Sequence, residues 1–257
     1  MSGLVLAPDK PGARAAVDRA PLLRWLIFTG VTVFAATLLW RYGLIRLMLA
    51  SDRTYISSVI CLLYVAASLH CLWRTIALSR EAAAGELAAQ LIATGVVDFS
   101  KSNLDKANLG ALPSGLFADH IRDLVVKADA QGTGHLDQTL LLRALADKLR
   151  GSNGLGAFAG DTAMKLGLLG TIIGFIIMLA PIAGLDAGDR ALMKSSMGLM
   201  SDGMAVAMYT TLAGLVGSIL IKIQYYSLDG ATAQAFSQAV TLTETRVVPA
   251  LERRHAG

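Results

Sequence analysis

The sequence predicts an all-α membrane protein with four transmembrane helices and a helical insertion between the second and the third. Three observations carry this. Of 257 residues, 54% are hydrophobic and 16% charged, and the mean hydropathy is +0.55, on the apolar side of ordinary soluble domains. Four apolar stretches are long enough to cross about 30 Å of hydrocarbon as helices. Two of them, residues 165–185 and 203–223, place small residues at helical spacing. The net charge of +4 is too mild to point to nucleic acid and suits topology-setting basic residues instead. Cys61 and Cys71 lie inside an apolar run and form neither a disulfide framework nor a metal spacing, so both are expected to be buried packing residues.

Residues 1–21 hold Pro8, Pro11 and Pro21 among small and charged residues and read as a flexible leader. They lack the order of a secretory signal, and the apolar segment that follows is too long for an h-region, so the first span is expected to be retained. Residues 22–73 form a transmembrane hairpin. Trp25 and Trp40 flank the first span as interfacial tryptophans do, Arg41 and Arg46 mark its far interface, and the second span covers residues 55–73. His70 lies within this span, one turn from Trp73 and Arg74, and is read either as an interfacial histidine or as part of a proton relay.

Residues 74–160 are alanine-rich, then polar, then amphipathic, and predict a water-exposed helical region. Leu136, Leu140, Leu141, Leu145 and Leu149 make an apolar stripe that needs a partner surface. Gly151, Gly154, Gly156 and Gly160 predict a bend or short loop before the third span. Pro181 either kinks that span or marks its exit. Residues 161–226 hold the third and fourth spans, and residues 227–257 a tail helix.

With both termini cytoplasmic, Lys10, Arg14, Arg19, Arg24, Arg74, Arg80, Lys148, Arg150, Lys165 and Lys222 lie inside. Arg41, Arg46, Arg53, Arg190 and Lys194 lie outside. The positive-inside rule therefore favours this orientation and a cytoplasmic insertion.

On the third span, Gly167, Thr171, Gly174 and Met178 fall at i, i+4, i+7 and i+11, and Gly170 with Gly174 makes a GxxxG pair. On the fourth, Gly203, Ala207, Thr211, Gly214 and Ser218 share a face. Such faces let helix backbones approach, because helix association in lipid depends on close contact and interhelical hydrogen bonds rather than on a hydrophobic drive. Neither residues 166–185 nor residues 203–221 contain an acid, a base or a histidine. Threonine and serine hydroxyls can solvate a carboxylate or a water file, but they do not titrate near neutral pH. A titrating group at membrane depth must come from another chain.

The segments LGLLGTIIG at 166–174 and GMAVAMYTTLAGL at 203–215 resemble the paired signature helices of the MotA/TolQ/ExbB proton-channel family. The resemblance implies a ring of subunits, usually a pentamer, in the bacterial inner membrane. The ring surrounds the single membrane helix of a MotB-, ExbD- or TolR-like partner that supplies an essential aspartate. It implies that Thr171 and Thr211 face the proton path; Ser218, on the same face by spacing, is grouped with them, and Gly167, Gly170, Gly174, Gly203, Ala207 and Gly214 are by their spacing the helix-packing residues. Val206 stands where TolQ- and ExbB-like members carry a glutamate, and four spans resemble the MotA arrangement rather than the three of TolQ and ExbB.

The expected function is thus a stator or energiser subunit coupling proton motive force to mechanical work, with no enzyme chemistry and no cofactor beyond the proton as coupling ion. The alternative is a non-conducting scaffold of an envelope complex, in which the same faces serve packing alone. A small-solute transporter is disfavoured, because neither an internal repeat nor a broken helix with midplane polar groups is found.

Overall fold

A computed structural model describes residues 20–52, 54–95, 97, 110, 112–132, 136–184 and 190–256. The 1–21 leader, apart from its last two residues, and Arg53 lie outside the described residues. Among these, all regular elements are helical. They are α1 (Ala20–Arg41), α2 (Leu44–Ser51), α3 (Ile56–Ala93), α4 (Leu116–Gln131), α5 (Thr139–Arg150), α6 (Gly154–Leu179), α7 (Arg190–Leu242) and α8 (Val248–Ala256). Short 3₁₀ turns flank α6, and a π-helical turn, Thr243–Val247, joins α7 to α8. Four stretches, within α1, within α3, from α5 through α6, and from α7 into α8, are long and apolar enough to cross a membrane.

The chain divides into two compact units. One comprises residues 25–73 and 153–227 and holds most of α1, all of α2 and α6, and the first parts of α3 and α7. Its outward surface is apolar, with Leu62, Leu168, Ile172, Ile176, Met208 and Leu212 all exposed. That pattern is unfavourable in water but suits a lipid-facing surface. Its interior holds Ile60, Cys71, Ala163, Val206 and Ile221.

The apolar run from residue 22 is interrupted where Gly43 adopts φ +78°, a left-handed conformation open to glycine at no steric cost, and α2 starts one residue on. Asp52 then organises the turn into α3. Its carboxylate accepts the Thr54 amide at 3.0 Å, the Thr54 hydroxyl at 2.6 Å and the Ser57 amide at 2.6 Å. Cys71 is buried but Cys61 is exposed, which corrects the expectation for Cys61: it sits on the outward face of α3.

The other unit contains the described parts of residues 1–24, 74–152 and 228–257. Here α3 continues well past Trp73, and α4 and α5 pack together around Phe117, Ile121, Leu124, Leu145 and Leu149. Two side chains of α3 close helix ends. Glu81 Oε2 accepts the first amide of α4, Leu116 N, at 2.8 Å, satisfying a donor that a helix start leaves open. Arg74 Nη2 donates to the Leu149 carbonyl at 2.8 Å, with a longer contact to Arg150, placing a cation at the negative end of α5. Glu252 of α8 accepts the Leu136 amide at 3.0 Å, and Arg254 pairs with Asp129.

Of the predicted leucine stripe, Leu136, Leu145 and Leu149 are buried, whereas Leu140 is 71% exposed. Leu136 precedes the helix, so the 3.6-residue register does not carry from it to Leu140. The predicted interruption over 151–160 is confined to 151–153: Gly151 has φ +44°, and α6 already runs from Gly154. Pro181 marks an exit, because α6 ends at Leu179 and a 3₁₀ turn takes over.

Candidate functional site: a glycine seam with paired threonines

Helices α6 and α7 run antiparallel with their backbones in near contact. A Cβ added to Gly174 would lie 2.6 Å from the Ala207 nitrogen, and one on Gly203 would lie 2.4 Å from the Met178 nitrogen. A Cβ on Gly170 would sit 2.4 Å from Thr210 Cβ, and one on Gly167 would sit 3.0 Å from both Gly214 Cα and the Thr210 carbonyl. From Gly167 to Met178 α6 advances eleven residues, and over the same contacts α7 runs back eleven, from Gly214 to Gly203. The seam continues to Gly160, beside the Lys222 stem, and to Gly156, where an added Cβ would fall 2.0 Å from the Tyr225 ring.

On α6 the seam positions are Gly156, Gly160, Ala163, Gly167, Gly170 and Gly174, at alternating steps of four and three. That is a heptad-type repeat, which keeps one face turned to its neighbour over many turns, where an isolated GxxxG secures only one crossing. Glycine in mid-helix normally costs up to about 1 kcal/mol. Here a side chain would have to push two backbones apart.

Thr171 and Thr211 flank this seam, both half-buried, and their hydroxyls are hydrogen-bonded to one another. Each also reaches a carbonyl one turn back in its own helix, Thr171 to Gly167 at 3.2 Å and Thr211 to Ala207 at 2.9 Å. Two hydroxyl hydrogens serve these three contacts, so one of the two carbonyl bonds gives way whenever the hydroxyls bond each other. The pair is a small rotatable donor set. Thr210 is fully buried against Gly170 and donates to the Val206 carbonyl at 2.9 Å, a packing role. Ser218 is buried two turns further along α7, with its carbonyl beside Gly160, and so lies apart from the threonine pair. Val206 is buried as well.

At the Gly156 end of the seam His70, which the sequence marks as an interfacial or relay histidine, meets residues that the sequence pattern did not link to it. Tyr225 OH lies 2.7 Å from His70 Nδ1 and donates to the Ala67 carbonyl at 3.3 Å, with the His70 ring stacked at 14° to it. Gln224 Nε2 donates to Ser68 Oγ at 3.1 Å. Asp161 of α6 and Lys222 of α7 form an ion pair at 2.8 Å, for which opposite charges just beyond two adjacent apolar runs were the available signal.

Together the helices and the seam define a polytopic α-helical membrane protein whose third and fourth spans form a tight pair edged by hydroxyls. Residues 116–240, just under half of the chain, match the family model described as the MotA/TolQ/ExbB proton channel family. The match begins at α4, well before the signature helices that carry the resemblance in the sequence. No match to a curated protein and none to a solved structure was found.

Proposed function

We propose that this chain is an energiser or stator subunit of the inner membrane. Several copies form a ring, a pentamer on the family pattern, around the single membrane helix of a MotB-, ExbD- or TolR-like partner. Protons are the coupling ion. The observation that carries the reading is the Thr171–Thr211 hydroxyl pair, within apolar stretches, residues 166–185 and 203–221, that contain no acid, base or histidine.

A partner carboxylate entering a ring lined in this way would be costly to keep charged in a medium of low dielectric. It would take up a proton from the outer side. The hydroxyls, turning from their own carbonyls, would stabilise the anion after proton release to the cytoplasm. Each charge moved draws on about 2.3 kcal/mol per 100 mV. The alternation of charge would shift partner against ring.

The second reading, a non-conducting scaffold, is favoured by one observation: each threonine already reaches a carbonyl one turn back, which suffices for a packing role. The two readings separate in vesicles holding the complex co-purified with its single-span partner, under an imposed potential and with proton entry read by a pH-sensitive dye. A channel predicts that Thr171→Ala with Thr211→Ala lowers proton entry at least about tenfold while the complex keeps its mass, because such substitutions cost only about 1 kcal/mol in packing. Unchanged proton entry in the double variant refutes the channel role of the pair.

A further inference from the structure

The α4–α5 hairpin buries a histidine beside an amide with which it forms no well-made hydrogen bond. His120, on α4, is 4% exposed and its Nε2 has no hydrogen-bond partner. Gln138, which precedes α5, is also 4% exposed, and neither its amide oxygen nor its amide nitrogen is bonded. Buried polar groups are nearly always hydrogen-bonded, so two neighbours with three orphaned atoms mark a site kept for something other than stability. A neutral imidazole tolerates it. An imidazolium could donate one N–H to the Gln138 amide oxygen, but the cost of burying its charge outweighs that contact.

The surrounding charges offer little relief. On α4 itself, Asp119 pairs with Arg122 at 2.8 Å, Asp123 is exposed, Asp129 pairs with Arg254 of α8, and Lys127 donates to the Asp137 carbonyl. From α5 come Lys148, of the wrong sign, and the exposed Arg143, Asp147 and Arg150, while the Asp137 carboxylate accepts from Thr139. Glu252 of α8 accepts the Leu136 amide, and Glu81 of α3 accepts the Leu116 amide. Burial lowers the His120 pKa, and Lys148 pushes the same way. Asp123 and Gln138 oppose this, but the net direction is down.

We infer that His120 and Gln138 form an acid-sensitive latch: protonation of the imidazole drives it towards water and loosens α4 from α5. The latch does not depend on the channel reading. Its use does rest on that reading: with the hairpin in the cytoplasm, opening would follow when proton entry outruns export and acidifies that side.

The test is hydrogen exchange of residues 116–149 in the full-length protein in detergent, from pH 7.5 to 5.5, corrected for the intrinsic pH dependence of exchange. The latch predicts that protection falls several-fold as the pH drops through this range. His120→Gln should flatten the profile. Gln138→Glu keeps the histidine and sets a carboxylate charge beside the imidazolium, so it should flatten the profile too. A wild-type profile without this fall, or one that persists unchanged in His120→Gln, overturns the latch. Should His120→Gln fail to fold, an undiminished fall in Gln138→Glu overturns it equally. Proton entry in vesicles at pH 7.5 is a separate readout, so failure of the channel reading and failure of the latch remain distinguishable.

Discussion

Gly167 and Gly214 face each other Cα to Cα across the α6–α7 seam: a methyl group placed on Gly214 would lie 2.7 Å from Gly167 Cα and 2.8 Å from the Ala163 carbonyl. Both obstacles are backbone. No rotamer change makes room, so the helices themselves must separate.

Gly214→Ala should therefore destabilise the pair by about 1–3 kcal/mol, as overpacking does. Gly198→Ala is the internal control, because nothing lies within 4 Å of the added Cβ there. It should be neutral or stabilising by up to about 1 kcal/mol through helix propensity. Thermal unfolding of both variants in detergent checks the contrast. Equal effects would mean that the seam does not limit stability.

Gly156 gives the Tyr225 ring its place, and through it the hydrogen bond to His70. Gly156→Ala should displace the ring and cost stability, whereas Tyr225→Ala in the same protein should recover part of the loss. The double-mutant cycle should return a coupling of about 0.5–3 kcal/mol. Strict additivity would show that the ring already has another place to go.

Asp52 provides a pH-dependent prediction outside the membrane spans. Burial raises its pKa, but the hydrogen bonds from Thr54 and Ser57 outweigh that, and the carboxyl lies below its ordinary value. A carboxylate depressed on folding adds stability above its unfolded pKa of about 3.9 and loses it as the pH falls through the folded value. Asp52→Asn should therefore lower the melting temperature at pH 7, with a loss of about 1 kcal/mol, and the difference from wild type should shrink below about pH 4. A difference constant down to pH 3 would contradict this role.

Much of the fold was legible because spans and small-residue faces are local patterns. Gly167, Gly170, Gly174, Gly203 and Gly214 repeat at helical spacing within apolar runs, and hydrocarbon leaves the backbone no solution there but a helix. What misled was the same residue in another setting. Gly154, Gly156 and Gly160 read as breakers, yet all three are helical; at Gly156 and Gly160 tight contact with α7 outweighs the propensity cost. His70 and Tyr225 stand 155 residues apart, and no local pattern links them. Arg74 reads as an interfacial charge, and only the folded α5 gives it the Leu149 carbonyl to bind. Of the candidate residues, Thr171 and Thr211 come together while Ser218 stands apart, a distinction of azimuth and depth that a shared helical face does not encode.

The seam has one further property. Glycine and alanine surrender almost no rotamers when they pack. Closing α6 onto α7 thus immobilises few side chains, and parting the two helices would release correspondingly little side-chain disorder. Warming should leave this joint in register after leucine-rich contacts elsewhere in the molecule have begun to slip.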